Sequence, residues 1–212
     1  MRKTDPVKHE KKRQEILEAA GRCFARKGFQ GATISDICAE ANISAGHLYH
    51  YFATKEAIIA GMAVARLAFA AECFNRGVEG PDLIAALVAE MELGKGKAGR
   101  KGHSLLFEII AEAGRNPAVA KILQEHSKAV RALLADVLRK GQARGLVDES
   151  LDADVAAAVL LSVLSGSKTL TIHDPKLDTK ASAGLLQLLI TRFLTPPAKL
   201  RAQSEQMNAT VN

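Results

Sequence analysis

The 212-residue sequence has no tryptophan, two tyrosines and three cysteines, and it lacks an uninterrupted apolar run of the ~18 residues that a membrane span requires. After residue 80 only Phe107 and Phe193 supply aromatic rings, so that part of the chain is poorly equipped to cage a quaternary ammonium or stack a flat cation; a pocket there would be mainly aliphatic. Cys23, Cys38 and Cys73 form no C-x-x-C pair and leave one over, which suggests neither a disulfide framework nor a structural zinc site. They sit among apolar residues as small hydrophobes, a redox-sensing thiol being the alternative. Met1–Pro6 leads into charged sequence and not into a signal-peptide apolar region, so the cytoplasm is the expected compartment.

Catalytic equipment is missing as well. No nucleophile–base–acid set and no H-x-x-x-H pair occurs, and the basic, glycine-rich run Gly94–Gly102 does not follow the G-x-x-x-x-G-K-[ST] order of a nucleotide-binding loop. The chain does not read as an enzyme; no catalytic residue, metal or cofactor is expected. The run Gly94–Gly102 is expected to be a solvated surface loop, because its glycines disfavour helix.

What is present is basic charge, unevenly spread. The net charge is +6, and residues 1–55 carry 10 Lys/Arg against 6 Asp/Glu while residues 56–212 carry 19 against 17. About a quarter of the chain thus holds most of the excess, a bias towards a phosphate-bearing partner.

Apolar residues recur at intervals of three and four, and nowhere alternate over a strand length, so the expected fold is all-α. A first helix is predicted from about Lys8 to Lys27, with Ile16, Leu17, Ala20 and Phe24 on its buried stripe and Gly28 at its end. Thr33 can cap a short second helix with Asp36 as its capping-box partner; Asn42 tolerates the left-handed turn that follows, and Ser44 caps a third helix from Ala45 to about Phe52. Two short helices joined by so tight a turn form a helix-turn-helix. A long fourth helix follows from Thr54 to about Arg76. Further helices are expected near 83–93, 103–115, 117–144, 151–172 and 178–194, the last two apolar around most of their circumference and therefore in need of cover on more than one side.

The segment Ser44–Lys55 is the most informative. With Leu48 and Phe52 directed at the core, His47, Tyr49, His50 and Tyr51 fall on other faces, next to the small residues Ala45 and Gly46 that let a backbone approach closely. Such an end suits docking in a DNA groove.

These residues carry a resemblance. Gly28-Phe29, then Thr33-Ile34-Ser35-Asp36-Ile37-Cys38, then Ile43 through Glu56 (I-S-A-G-H-L-Y-H-Y-F-A-T-K-E) resemble the N-terminal signature of the TetR/AcrR family of bacterial repressors over about residues 10–58, with Cys38 where alanine is usual and Thr54 where serine or asparagine is common. The resemblance implies a three-helix DNA-binding domain at 1–55, a ligand-binding and dimerisation domain at 56–195 and a polar tail at 196–212. It further implies that Thr33, Tyr49 and Lys55 contact phosphates, that Ser44, Ala45, Gly46, His47 and His50 lie nearest base edges, and that Tyr51 either contacts phosphate or packs.

Stretch 107–151 is similar to one common C-terminal subtype of the family. That implies a homodimer through helices 151–172 and 178–194 and an effector cavity among the middle helices, for which His103, Phe107, Glu108, His126 and His173 are the candidate lining residues. The expected function is a ligand-responsive repressor that holds a near-palindromic double-stranded operator and is released by a mainly aliphatic small molecule. A nucleoid-type protein that binds DNA without an effector is the alternative.

Overall fold

The computed structural model describes residues 5–79, 97–167, 169–174 and 176–198. Every regular element among them is helical: α1 (Pro6–Gly31), α2 (Ile34–Ala41), α3 (Ala45–Tyr51), α4 (Lys55–Glu79), α5 (Lys97–Ala113), α6 (Pro117–Ala143), α7 (Ala153–Ser167), the single turn α8 (Leu170–His173) and α9 (Thr179–Leu194). The helix expected at 83–93 and the tail beyond residue 198 lie outside the described residues.

Local chemistry sets the boundaries. Asp5 caps α1 by accepting from the N–H groups of Val7 and Lys8, with Pro6 at the first position, where its missing N–H is no loss. Gly28 departs from helical geometry at φ 70, ψ 168, a conformation essentially reserved for glycine, so the chain kinks there and takes one more turn to Gly31. Asn116 caps α6 through the N–H groups of Ala118 and Val119, and Asp178 caps α9 through those of Lys180 and Ala181.

Two expectations are corrected. From Lys97 onward the glycine-rich run holds helix, since α5 begins there. Each glycine costs ~1 kcal/mol relative to alanine, but the helix continues into Leu105, Ile109 and Ala113, which pack on the core and offset that cost. The single helix expected at 151–172 is instead α7 followed by α8. Asp152 caps α7 one residue after the expected start, and Thr169 donates from both its N–H and its hydroxyl to the Gly166 carbonyl, closing the helix early.

The chain divides into two compact units: 1–68 with 94–127, and 69–93 with 128–212. The first does not end at residue 55, because it takes in α5 and the start of α6. Its core joins Ile16, Leu17, Ala20, Cys23 and Phe24 of α1 to Phe29, Ile37, Leu48, Phe52, Ile58 and Ile59, and to Val119 of α6. Phe24 is fully buried, and burying a side chain of that size contributes about 1.5–3 kcal/mol. In the second unit Leu134, Val137 and Leu138 of α6 pack with Ala156, Ala157 and Leu160 of α7 and with Ile190 and Leu194 of α9. There Gln142 clamps the turn after α6 by donating to the carbonyls of Asp148 and Leu151, and Arg139 bridges Asp136 and Asp154.

Candidate nucleic-acid interface

The helix-turn-helix is held by reciprocal caps. Asp36 N–H donates to Thr33 Oγ1 at 3.1 Å while Thr33 donates from its N–H and its hydroxyl to Asp36 Oδ2 at 3.0 and 2.9 Å. Lys27 of α1 pairs with the same carboxylate at 2.7 Å; that contact, with the Thr33 bonds behind it, holds the Asp36 carboxyl well below the usual range. Asn42 takes the left-handed conformation at φ 51, ψ 54, and Ile43 N–H returns to the Cys38 carbonyl. Ser44 Oγ then accepts from His47 N–H at 3.2 Å and starts α3. Arg22 and Arg26 of α1 both grip Glu40 of α2, fixing the motif to the helix behind it and lowering the Glu40 carboxyl.

One side of α3 is anchored. Leu48 is fully buried, and Phe52 packs so tightly under α4 that a Cβ at the buried Gly61 would lie 2.9 Å from Phe52 Cε1 and 3.0 Å from Leu17 Cδ2. Arg13 sits over the Phe52 ring, 5.4 Å from its centroid. The opposite side is open. Ser44, Ala45, Gly46, His47 and His50 are exposed, Tyr49 is 53% exposed, and a Cβ at Gly46 would meet nothing within 4 Å. Thr33 is exposed on the same motif at the start of α2.

Tyr51 is half-buried among imidazoles. His9 of α1 stacks on it at 4.6 Å and 29°, His50 meets it edge-on at 5.3 Å and 88°, and His47 lies tilted at 5.5 Å. His9 was absent from the sequence-based set, because nothing local links position 9 to position 51.

Lys55, expected on phosphate, bonds to α1 in the free protein. Its ammonium donates to the carbonyls of Phe29 and Ala32 at 2.8 and 3.0 Å and lies 4.6 Å from the centroid of the Phe29 ring, closing the carbonyl end of the kinked α1. Two of its three donors are thereby engaged.

The effector candidates fall in both units. The His103 side chain lies outside the described residues, Phe107 is partly buried on α5, and His173 is exposed on α8 in the second unit. Glu108 lies against α1, with Oε2 at 2.9 Å from the position a Cβ on Gly28 would occupy. His126 is half-buried; burial and, behind it, the Arg66 charge push its imidazole down, against its hydrogen bond to the Ala63 backbone.

Close to Glu108 runs a polar network that sequence reasoning missed. Glu112, with no exposed surface, accepts from Gln30 at 2.6 Å and from Arg115 at 2.7 Å, while Asn116 donates to Glu56 at the start of α4. Burial pushes the Glu112 carboxyl up, but the bonds from Arg115, Gln30 and Asn116 outweigh it and the net shift is downward. The available signal was the placement of Glu108 and Glu112 on the same helical stripe as Leu105 and Ile109. Cys23 and Cys38 are buried, and burial pushes both thiols up, away from the reactive thiolate.

A capped helix-turn-helix presenting an open N-terminal turn beside a half-exposed tyrosine defines a DNA-binding regulator of the helix-turn-helix class. The model described as bacterial regulatory proteins, tetR family, matches residues 16–62, and one described as Tetracyclin repressor-like, C-terminal domain, matches residues 81–181. The chain is 30% identical over 155 residues to the HTH-type transcriptional regulator UidR of Escherichia coli K12, covering 73% of this chain and 78% of that protein; it is 29% identical over 157 residues to the HTH-type transcriptional repressor AcnR of Corynebacterium diphtheriae, with the same coverage. Among solved structures, Salmonella enterica GusR matches with a TM-score of 0.71 at 30% identity, over 92% of this chain and 99% of that one. This chain belongs to the TetR family of bacterial transcriptional regulators. Among the described residues no helix is long and apolar enough to cross a membrane, and no group of three or more His, Cys, Asp or Glu is placed to hold a metal.

Proposed function

We propose that the chain is a ligand-responsive repressor that binds a near-palindromic operator as a homodimer and is released by a small-molecule effector, acting by binding and not by catalysis. The observation that carries this reading is the open N-terminal turn of α3: a capped helix end with no side chain at Gly46, flanked by exposed His47, Tyr49 and His50 and rigidly backed by buried Leu48 and Phe52. Base edges in a major groove fit against Ser44, Ala45, Gly46, His47 and His50, with Thr33 and Tyr49 towards phosphates. Lys55 acts mainly by positioning, since two of its donors hold the end of α1.

Dimerisation draws support from the second unit. Val155 (60% exposed) and Val159 on α7, and Leu185 (67% exposed), Leu188 and Leu189 on α9, leave apolar side chains uncovered on the two helices whose other faces build the core. The effector is a mainly aliphatic molecule, in keeping with the shortage of aromatic rings after residue 80. Release follows if the effector binds the DNA-competent and incompetent states with different affinity.

The test is binding to a duplex selected from a random pool, measured against a scrambled duplex at matched salt. Gly46→Leu fills open space in the free protein, so it should leave folding intact and abolish preference for the selected duplex. Unchanged preference in that variant removes α3 from the interface, and equal affinity of the wild type for both duplexes replaces this reading with sequence-independent DNA binding.

A further inference from the structure

The reading helix carries no permanent positive charge. Residues 45–51 are A-G-H-L-Y-H-Y, without lysine or arginine, so any cationic contact from α3 to phosphate must come from an imidazolium. Nearby permanent cations already have partners in the free protein: Lys12 pairs with Glu15 at 2.8 Å, Arg13 with Glu10 at 3.3 Å and over Phe52, Lys55 holds the end of α1, and the well-exposed Lys8 lies beside Asp5 at 3.9 Å. Lys11 stands exposed on α1, and Tyr49 and Tyr51 are the phenols of α3. Three histidines surround one phenol here. His9 and His50 are 6.0 Å apart and edge-on, both touch the Tyr51 ring, and His47 touches it from the preceding turn of α3. Among the described residues no carboxylate is paired with any of the three, since Asp5 caps α1 and Glu10 holds Arg13.

We infer that His9 of α1 joins His47 and His50 of α3 in a proton-dependent contact with DNA, His9 reaching a backbone phosphate while the other two face the groove beside it, so that each reading head takes up protons as it binds. An imidazole exchanges its proton close to neutral pH, and a phosphate placed against it favours the charged form. Tyr51 is the positioning residue: its ring is the shared surface on which one imidazole from α1 and two from α3 are held together, and the negative charge of DNA offsets the repulsion between those that charge. His9 thereby extends the DNA-contacting surface from the helix-turn-helix to the first helix of the chain. The inference rests on α3 being the reading helix.

The experiment measures affinity of the full-length wild-type chain for the selected duplex from about pH 6 to about pH 8 at fixed salt, with folding followed by circular dichroism. Affinity should rise as pH falls, by up to about tenfold per imidazole over that range, and the salt dependence should steepen because each new charge displaces a counterion. His9→Phe keeps a ring on Tyr51 but carries no proton, and should lose about one proton of the pH dependence per head. His9→Lys carries a permanent charge and should bind more tightly than wild type near pH 8 while showing the same reduced pH dependence as His9→Phe. Wild-type affinity changing less than about twofold across the range overturns the inference, as does a pH dependence unaltered in His9→Phe. Gly46→Leu separates the two readings: if it abolishes preference while wild-type affinity ignores pH, α3 reads DNA without the proton-linked cluster.

Discussion

Replacing Gly28 with alanine tests how α1 is joined to the reading motif. The residue lies at φ 70, ψ 168, where an L side chain is strained; adopting such a conformation costs about 1–3 kcal/mol. The added methyl meets a second obstacle, Glu108 Oε2 at 2.9 Å, so the carboxylate must swing away from α1. Together these predict that Gly28→Ala loses about 3 kcal/mol, the larger part from the backbone. Urea unfolding at fixed protein concentration gives the loss as a shift in midpoint, fixed concentration being needed because a dimer's stability depends on it. In a Glu108→Ala background the steric part disappears and the backbone part remains, so the double-mutant cycle should show a coupling of about 0.5–1 kcal/mol. A loss under about 0.5 kcal/mol for Gly28→Ala would refute the reasoning, since the kink would then be a conformation that any residue can take.

Lys55→Met removes two charge-assisted hydrogen bonds from the end of α1 and should cost about 2 kcal/mol of stability while leaving the salt dependence of DNA binding near that of wild type; a clearly flatter dependence would return Lys55 to the phosphates. His126 is held towards its neutral form by burial and by Arg66, so its contribution to stability is complete above the ordinary histidine range and is lost as pH falls through that range and below it. Thermal unfolding at a series of pH values should therefore show a smaller acid-side loss in His126→Gln than in wild type, and parallel curves would count against that account.

The reading motif was legible in the sequence because its determinants are local. Thr33 and Asp36, Asn42, and Ser44 with His47 act within three or four residues, so residue type and spacing specify both caps and turn. The exposed end of α3 was readable for the same reason once Leu48 and Phe52 were assigned to the core. The bonds of Lys55 to the end of α1 were not legible, because its partners stand 26 and 23 residues earlier. His9 meets Tyr51 only through the packing of α1, and Gln30 meets Glu112 across 82 residues. The start of α5 was misjudged because glycine propensity is a per-residue preference, while the packing of Leu105 and Ile109 is paid out over the whole helix.

The Gln30–Glu112 bond, together with Val119 in the same core as Leu48, has a consequence for how the protein can be made and rebuilt. The head that reads DNA is discontinuous in the chain, so during synthesis its hydrophobic centre stays open until the segment up to about residue 127 has emerged, and its completion requires closing a long loop. A fragment ending at residue 55 or 68 would lack Leu105, Ile109 and Val119 and leave their neighbours on α1 in water. Transplanting the reading specificity onto another regulator would accordingly mean moving the face of α3 residue by residue, or carrying residues 97–127 along with the first 68, and not splicing at the end of the motif.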